Sequence, residues 1–248
     1  MQWLKNKNYC GVTLSQGLAW LNSKIGNQTA EIGNQKLEIG PLGSGVRPVA
    51  ITFDDGFRDF YTDAFPILMR FGFSATMYVP TNFVASRPGS LASPTAVRKF
   101  IGRECLNWAE VEELHRAGIE IGSHTVHHPR LVDLAWPQIQ AELGESKSEI
   151  ENQLGTAVEA FAYPYAFPQY RQDFVGKFKE LLLAAGYRSC VTTQVGRQRP
   201  GENLLQIKRL PVNSDDDARL LEAKLEGGYD WFAVPQGVLK QIKQRIFN

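Results

Sequence analysis

Three of the four histidines in the chain fall within five residues, in the stretch Ser123-His124-Thr125-Val126-His127-His128-Pro129. His124 and His128 are four residues apart. That spacing sets two imidazoles on one side of a helical turn or a tight loop. Imidazole is the commonest protein ligand for zinc and similar ions. The alternative is a polar surface loop, and the clustering weighs against it. Further upstream, Thr52-Phe53-Asp54-Asp55-Gly56 runs an apolar segment straight into two adjacent carboxylates. In a continuing strand the two would point to opposite faces. At a strand end, with Gly56 freeing the backbone, both can face one site. One can bind a metal while its neighbour stays free as a base. The alternative is an ordinary Asp-Asp-Gly turn.

Two histidines and one carboxylate hold a metal and leave positions open for water and substrate, the pattern of a catalytic rather than a structural site. A bound metal lowers the pKa of its water from 15.7 toward about 7, and a neighbouring carboxylate can take the proton. Such an assembly suits hydrolysis of an amide or ester. A third cluster, Phe161-Ala162-Tyr163-Pro164-Tyr165, sets aromatic side chains around a rigid proline. Aromatic faces suit sugar rings, and core packing is the competing reading. His115, on a predicted helix, reads as structural or superficial.

These clusters need elements to position them. Val49–Phe53 reads as a buried strand. A helix capped by Thr62 runs to about Phe71, with Pro66 in its first turns and Gly72 as its stop. Ser74–Val79 is the next strand. Asn107 and Glu110 have capping-box spacing, and Gly118 ends that helix before a strand at Ile119–Ser123. Pro137 opens a long helix closed by Gly155. Phe161–Tyr163, Arg188–Thr192 and Leu205–Leu210 read as strands. Phe174, Phe178, Leu181, Leu182 and Ala185 make a helix stripe ended by Gly186. Ser214 with Asp217 starts a helix that Gly227 and Gly228 end. Strand then helix, repeated about six times, implies parallel strands with helical crossovers. The expected α/β fold is a single-domain distorted (β/α) barrel of fewer than eight strands, with a doubly wound open sheet as the second choice. In that fold each cluster lies at the carboxyl edge of the strands, where such barrels place their sites.

The chain has 248 residues, 43% of them hydrophobic, enough for one barrel-sized unit of roughly 200–250 residues. A net charge of +1 argues against a dedicated nucleic-acid binder. Residues 1–47, with Gly-Asn-Gln at 26–28 and again at 33–35, read as an irregular N-terminal arm, and 48–248 as the catalytic domain. Val238, Leu239, Ile242 and Ile246, with Lys240, Lys243 and Arg245, read as a docked terminal helix. Cys10, Cys105 and Cys190 form no Cys-x-x-Cys pair, so a disulfide framework is not expected. No stretch reaches the roughly 18 apolar residues of a membrane span. The first eight residues lead into no apolar run, so neither export signal nor anchor is expected. Compartment and oligomeric state are left open.

Together the motifs resemble the polysaccharide deacetylase family, carbohydrate esterases that share a chitooligosaccharide-deacetylase homology domain. The resemblance covers roughly residues 47–212. Thr52–Gly56 is similar to the family's first motif and His124–Pro129 to its second, about 70 residues later. It implies Asp54 as general base. It implies Asp55, His124 and His128 as ligands of a divalent ion, zinc first, with cobalt or nickel as alternatives. Phe161–Tyr165 is similar to the third, groove-walling motif. There Tyr163 and Pro164 would meet substrate, and the backbone N–H of Tyr165 would hold the oxyanion. Members of the family are often extracytoplasmic.

The chain departs from the pattern in places. The arginine that braces the base in the third motif is Ala162 here, and the glycine after the motif is Ala166. The late motif, Leu205-Gln206-Ile207-Lys208-Arg209, ends in arginine where the family has a histidine acid. Arginine stays protonated and cannot cycle a proton. The expectation is that Arg209 points into the site and braces Asp54 or binds substrate, with an exposed strand-end charge as the plain alternative. His127 or a metal-held water would then act as acid. No match to the fourth, Asp-rich and Trp-containing motif is found. The implied activity is removal of N-acetyl groups from an amino-sugar polysaccharide: exopolysaccharide, peptidoglycan or a chitin-like chain. The competing readings are a deformylase or other C–N hydrolase on a small or lipid-linked substrate, and a catalytically impaired carbohydrate-binding homologue.

Overall fold

A computed structural model describes residues 1–23, 45–86 and 98–232. The chain opens with α1 (Gln2–Asn6), β1 (Tyr9–Val12) and α2 (Leu14–Ser23), followed by β2 (Arg47–Ala50) and β3 (Thr52–Phe53). A π-helical turn at Phe60–Ala64 leads into α3 (Phe65–Phe71) and β4 (Thr76–Val79). A short hairpin, β5 (Lys99–Phe100) and β6 (Arg103–Glu104), precedes α4 (Trp108–Arg116) and β7 (Glu120–Ser123). Then follow α5 (Trp136–Leu154), β8 (Ala160–Ala162), α6 (Gln172–Ala184), β9 (Ser189–Val195), β10 (Ile207–Arg209) and α7 (Ala218–Leu225). The terminal helix expected near 238–246 and the two Gly-Asn-Gln repeats lie outside the described residues.

Six parallel strands form one sheet in the order β10-β9-β8-β7-β4-β3. The sheet curls into a half-barrel, the distorted barrel expected from the alternation of strands and helices. Side-chain alternation along the strands divides two apolar layers. Met77, Val79, Ile121 and Phe161 pack outward with Leu68 of α3, Leu114 of α4, Leu143 of α5 and Phe178 of α6. Tyr78, Ala160, Ala162, Val191 and Ile207 pack with Leu14 and Leu18 of α2. Tyr78 takes so much of that second layer that Gly122, beside it, has no room for a Cβ.

Residues 2–23 are not irregular, contrary to expectation. β1 pairs in parallel with β2. The amide of Leu14 donates to Thr76 Oγ1 at 2.8 Å and that of Ser15 to Glu120 Oε2 at 3.2 Å. Thr76 and Glu120 begin β4 and β7, so α2 starts at the amino-terminal edge of the sheet with a carboxylate at its N-terminus, a favourable placement. Short elements of mixed composition gave little periodicity to read. The helix predicted from Thr62 also begins differently. Pro66 has no N–H to return to the carbonyl of Thr62, and the turn before it takes wider π bonding. Asn107 makes its capping box with Glu110, and Gly72 and Gly155 end their helices in left-handed conformation.

Candidate active site

The carboxyl ends of the strands bring the first two sequence clusters together. Asp54 and Asp55 follow β3, and His124 follows β7. His124 Nε2 lies 3.4 Å from Asp55 Oδ1, His128 Nε2 lies 3.3 Å from the same oxygen, and the two nitrogens are 3.1 Å apart. Donors about 2.0–2.1 Å from a tetrahedral zinc stand roughly 3.3–3.4 Å from one another. The triangle therefore has the size a divalent cation needs. An all-nitrogen-and-oxygen donor set suits zinc, cobalt or nickel.

The ring orientation fits as well. His124 Nδ1 is 2.8 Å from the carbonyl oxygen of Ala162. A carbonyl can only accept, so Nδ1 carries the proton and Nε2 presents its lone pair to the triangle, the arrangement typical of metal-binding histidines. His128 sits between two aromatic rings, Phe100 at 4.7 Å and Tyr165 at 4.6 Å. Both histidines are buried.

Four non-glycine residues here have positive φ: Asp55 at 74°, Thr125 at 69°, His128 at 53° and Tyr165 at 57°. Each such residue costs of the order of 1–3 kcal/mol and persists only where its surroundings hold it. The strain bends the chain sharply after β3, β7 and β8 and so aims the side chains into one place.

Asp54 is held from across the fold. Arg209 Nη1 and Nη2 donate to its two oxygens at 2.8 and 2.7 Å. Arg209 Nε donates to the carbonyl of Thr192 at 3.1 Å, which fixes the fork in place. The register of β9 against β10 shifts between Ile207 and Arg209, an irregularity of the kind that re-aims a side chain. Burial pushes the Asp54 carboxyl up, but the charge and paired hydrogen bonds of Arg209 prevail and keep it below its usual pKa. Asp54 thus stands ionised beside the donor triangle.

Other expected site residues are placed elsewhere. Tyr163 is 2% exposed and packs edge-on to Phe167 and Phe178 at 5.0 and 5.3 Å. Its ring is core, so the expectation that it meets substrate is corrected: an aromatic triplet does not reveal which member faces in. Pro164 is buried too. Tyr165 keeps its ring half-exposed beside His128. His127 turns away to Glu142, with Nδ1 2.7 Å from Oε1, which removes it as an acid in the site. His115 reaches Thr156 at 3.4 Å. The carbonyl of Ala162, the ring of Phe100 and Glu142 were not foreseen, because a backbone carbonyl and a helix-borne carboxylate leave no local signature.

A profile of the polysaccharide deacetylase family matches residues 43–186, more than half of the chain. The chain belongs to the polysaccharide deacetylase family. A Bacillus subtilis protein assigned to the polysaccharide deacetylases, YxkH, is 30% identical over 170 residues, 66% of this chain and 51% of that protein. The chain thus spans about half the length of that relative. Among solved structures, the Streptococcus pyogenes deacetylase PplD in complex with acetate superposes with a TM-score of 0.67 at 23% identity, covering 90% of this chain and 82% of that one. IcaB from Ammonifex degensii superposes with a TM-score of 0.64 at 21% identity, covering 86% and 81%. At those identities the likeness is one of fold. In this polysaccharide deacetylase family member the sheet brings an arginine to the first-motif aspartate from β10, while β8 carries Ala162.

Proposed function

We propose that this chain is a metal-dependent hydrolase that removes N-acetyl groups from the amino sugars of a polysaccharide. Family membership supports the reaction class. The observation that carries the rest is the donor triangle of Asp55, His124 and His128 with an ionised Asp54 beside it. A divalent cation held there, zinc before cobalt or nickel, would supply Lewis-acid polarisation of the amide and activation of water. Asp54 accepts the proton of the attacking water. Arg209 holds both Asp54 oxygens and so fixes the direction from which that proton arrives. The backbone N–H of Tyr165 faces the developing oxyanion, and the exposed Tyr165 ring offers an apolar face to the sugar.

Arg209 keeps its own proton, its pKa being pushed up by Asp54 against the opposing effect of burial, so it does not deliver one to the leaving nitrogen. Asp54, having accepted a proton, is the group that passes it on. An ionised carboxylate fixed beside the triangle weighs against a purely carbohydrate-binding homologue, because binding a sugar does not require it.

The test is product analysis with purified protein on N-acetylglucosamine oligomers, N-acetylated polysaccharide and an N-formyl analogue. Acetate with a free amine on the sugar is the expected result. Formate from the analogue with no acetate from any acetylated substrate would move the chain to the deformylase reading.

A further inference from the structure

We infer that Glu142, on α5, is a positioning residue for the metal-ligand pair His124 and His128, an inference that rests on the metal reading above. The loop between the two histidines is bent by two left-handed residues, Thr125 and His128. Neither is glycine, so the bend needs outside support. From one side the amides of Thr81 and Asn82 donate to the carbonyls of Thr125 and Val126 at 3.1 and 2.9 Å. From the other side comes a single carboxylate. Glu142 Oε2 accepts from the amides of Val126 and His127 at 2.8 and 3.0 Å, and Oε1 stands against His127 Nδ1.

Glu142 is itself held firmly. Its side chain is 12% exposed and sits on a helix of 19 residues. One turn on, the hydroxyl of Ser146 donates to the Glu142 carbonyl and pairs with Ser123 Oγ, each at 2.7 Å. Ser123 is the residue before His124. The helix therefore grips the loop twice, through Ser146 where it begins and through Glu142 at its middle. Remove the carboxylate, and two adjacent N–H groups lose their acceptor between the ligands. The ligands then keep their identity but lose their fixed separation. Groups that orient metal ligands from outside the ligand set typically govern affinity by a factor of about 10–100, and Glu142 does so through the backbone between the two histidines.

The experiment titrates zinc into the chelator-stripped chain against a chromophoric chelator, and records melting of the metal-free protein alongside. Glu142→Ala is expected to bind zinc about 10- to 100-fold more weakly than wild type. Glu142→Gln keeps an oxygen for the two amides and is expected to stay close to wild type. Wild-type affinity in Glu142→Ala, with only a lowered metal-free melting temperature, would overturn the positioning role. Equal weakening in Gln and Ala would overturn the acceptor argument. Should the alanine variant not fold, Glu142→Asp, one methylene short of both amides, decides by the same comparison. A wild-type chain that binds no zinc would overturn the metal reading itself, an outcome separate from wild-type binding that Glu142→Ala leaves unchanged.

Discussion

Arg209 and Asp54 meet from opposite edges of the six-stranded sheet, β10 and the end of β3, through two hydrogen bonds of 2.8 and 2.7 Å. Within the described residues this fork is where side chains close the half-barrel above the candidate metal site. On the proposed role of Asp54 as base, closure and catalysis are coupled. Arg209→Lys keeps the charge but cannot bond both oxygens with one planar fork. It is expected to lower kcat/KM about 10- to 100-fold, and Arg209→Ala to lower it further, as for other lost charge-assisted contacts. Steady-state kinetics on an acetylated oligomer check this. Full activity in Arg209→Ala would mean that the fork does not hold the base.

The donor triangle makes a separate prediction about metal content. Asp55→Ala, His124→Ala and His128→Ala each leave two donors where three converge, and each is expected to lose most bound zinc. Elemental analysis of protein dialysed against trace zinc reads this out. His127→Ala, whose ring turns to Glu142, should keep its zinc, and loss of metal there equal to that in His128→Ala would argue against the assigned ligand set.

Much of this site could be read from residue order. Paired aspartates at the end of an apolar run and histidines four apart mark the candidate donors that the fold brings together, because metal ligation restricts both residue type and spacing. The alternation of strands and helices marks the half-barrel for a different reason, since apolar periodicity reflects burial directly. Tyr163 shows where such reading stops: aromatics serve groove and core alike, and this ring lies with Phe161 in the helix-facing layer, against Phe167 and Phe178. Glu142 shows another boundary. Its partners lie 15 and 16 residues away, across a turn that no local pattern encodes. Of the missed N-terminal elements, β1 has four residues and α1 five, too few to display a period.

The crowding of Tyr78 against β7 bears on stability. A Cβ on Gly122 would run into the Tyr78 ring and come within 3.0 Å of the Ala160 carbonyl oxygen. Tyr78 is fully buried and has nowhere to turn. Gly122→Ala is expected to cost about 1–3 kcal/mol, the usual range for overpacking. Chemical denaturation measures it, and an unchanged midpoint would show that the barrel interior has slack.

Acid stability should depend on Asp230. Burial alone would raise its carboxyl, but hydrogen bonds from the Arg197 side chain and amide prevail, aided by Arg199, and its folded pKa is lowered. A lowered folded pKa means that the unfolded chain takes up the proton first as pH falls. The stabilisation is therefore complete above the ordinary carboxylate range and is lost as pH drops through the folded value. Asp230→Asn is expected to cost about 1 kcal/mol near neutrality, the upper range for a partly exposed ion pair, and to converge with wild type as pH falls below the ordinary carboxylate range. A difference that is constant with pH would assign the effect to packing.

The most direct test of the whole account is acetate release from N-acetylglucosamine oligomers after chelator treatment and again after restoring zinc or cobalt, with Asp54→Asn alongside. Activity is expected to disappear with the chelator and return with the metal. The Asp54→Asn protein is expected still to carry zinc yet to be slower by about 10²–10⁴-fold, the usual worth of a positioned base. Undiminished acetate release from the metal-stripped protein, or from Asp54→Asn, would contradict it.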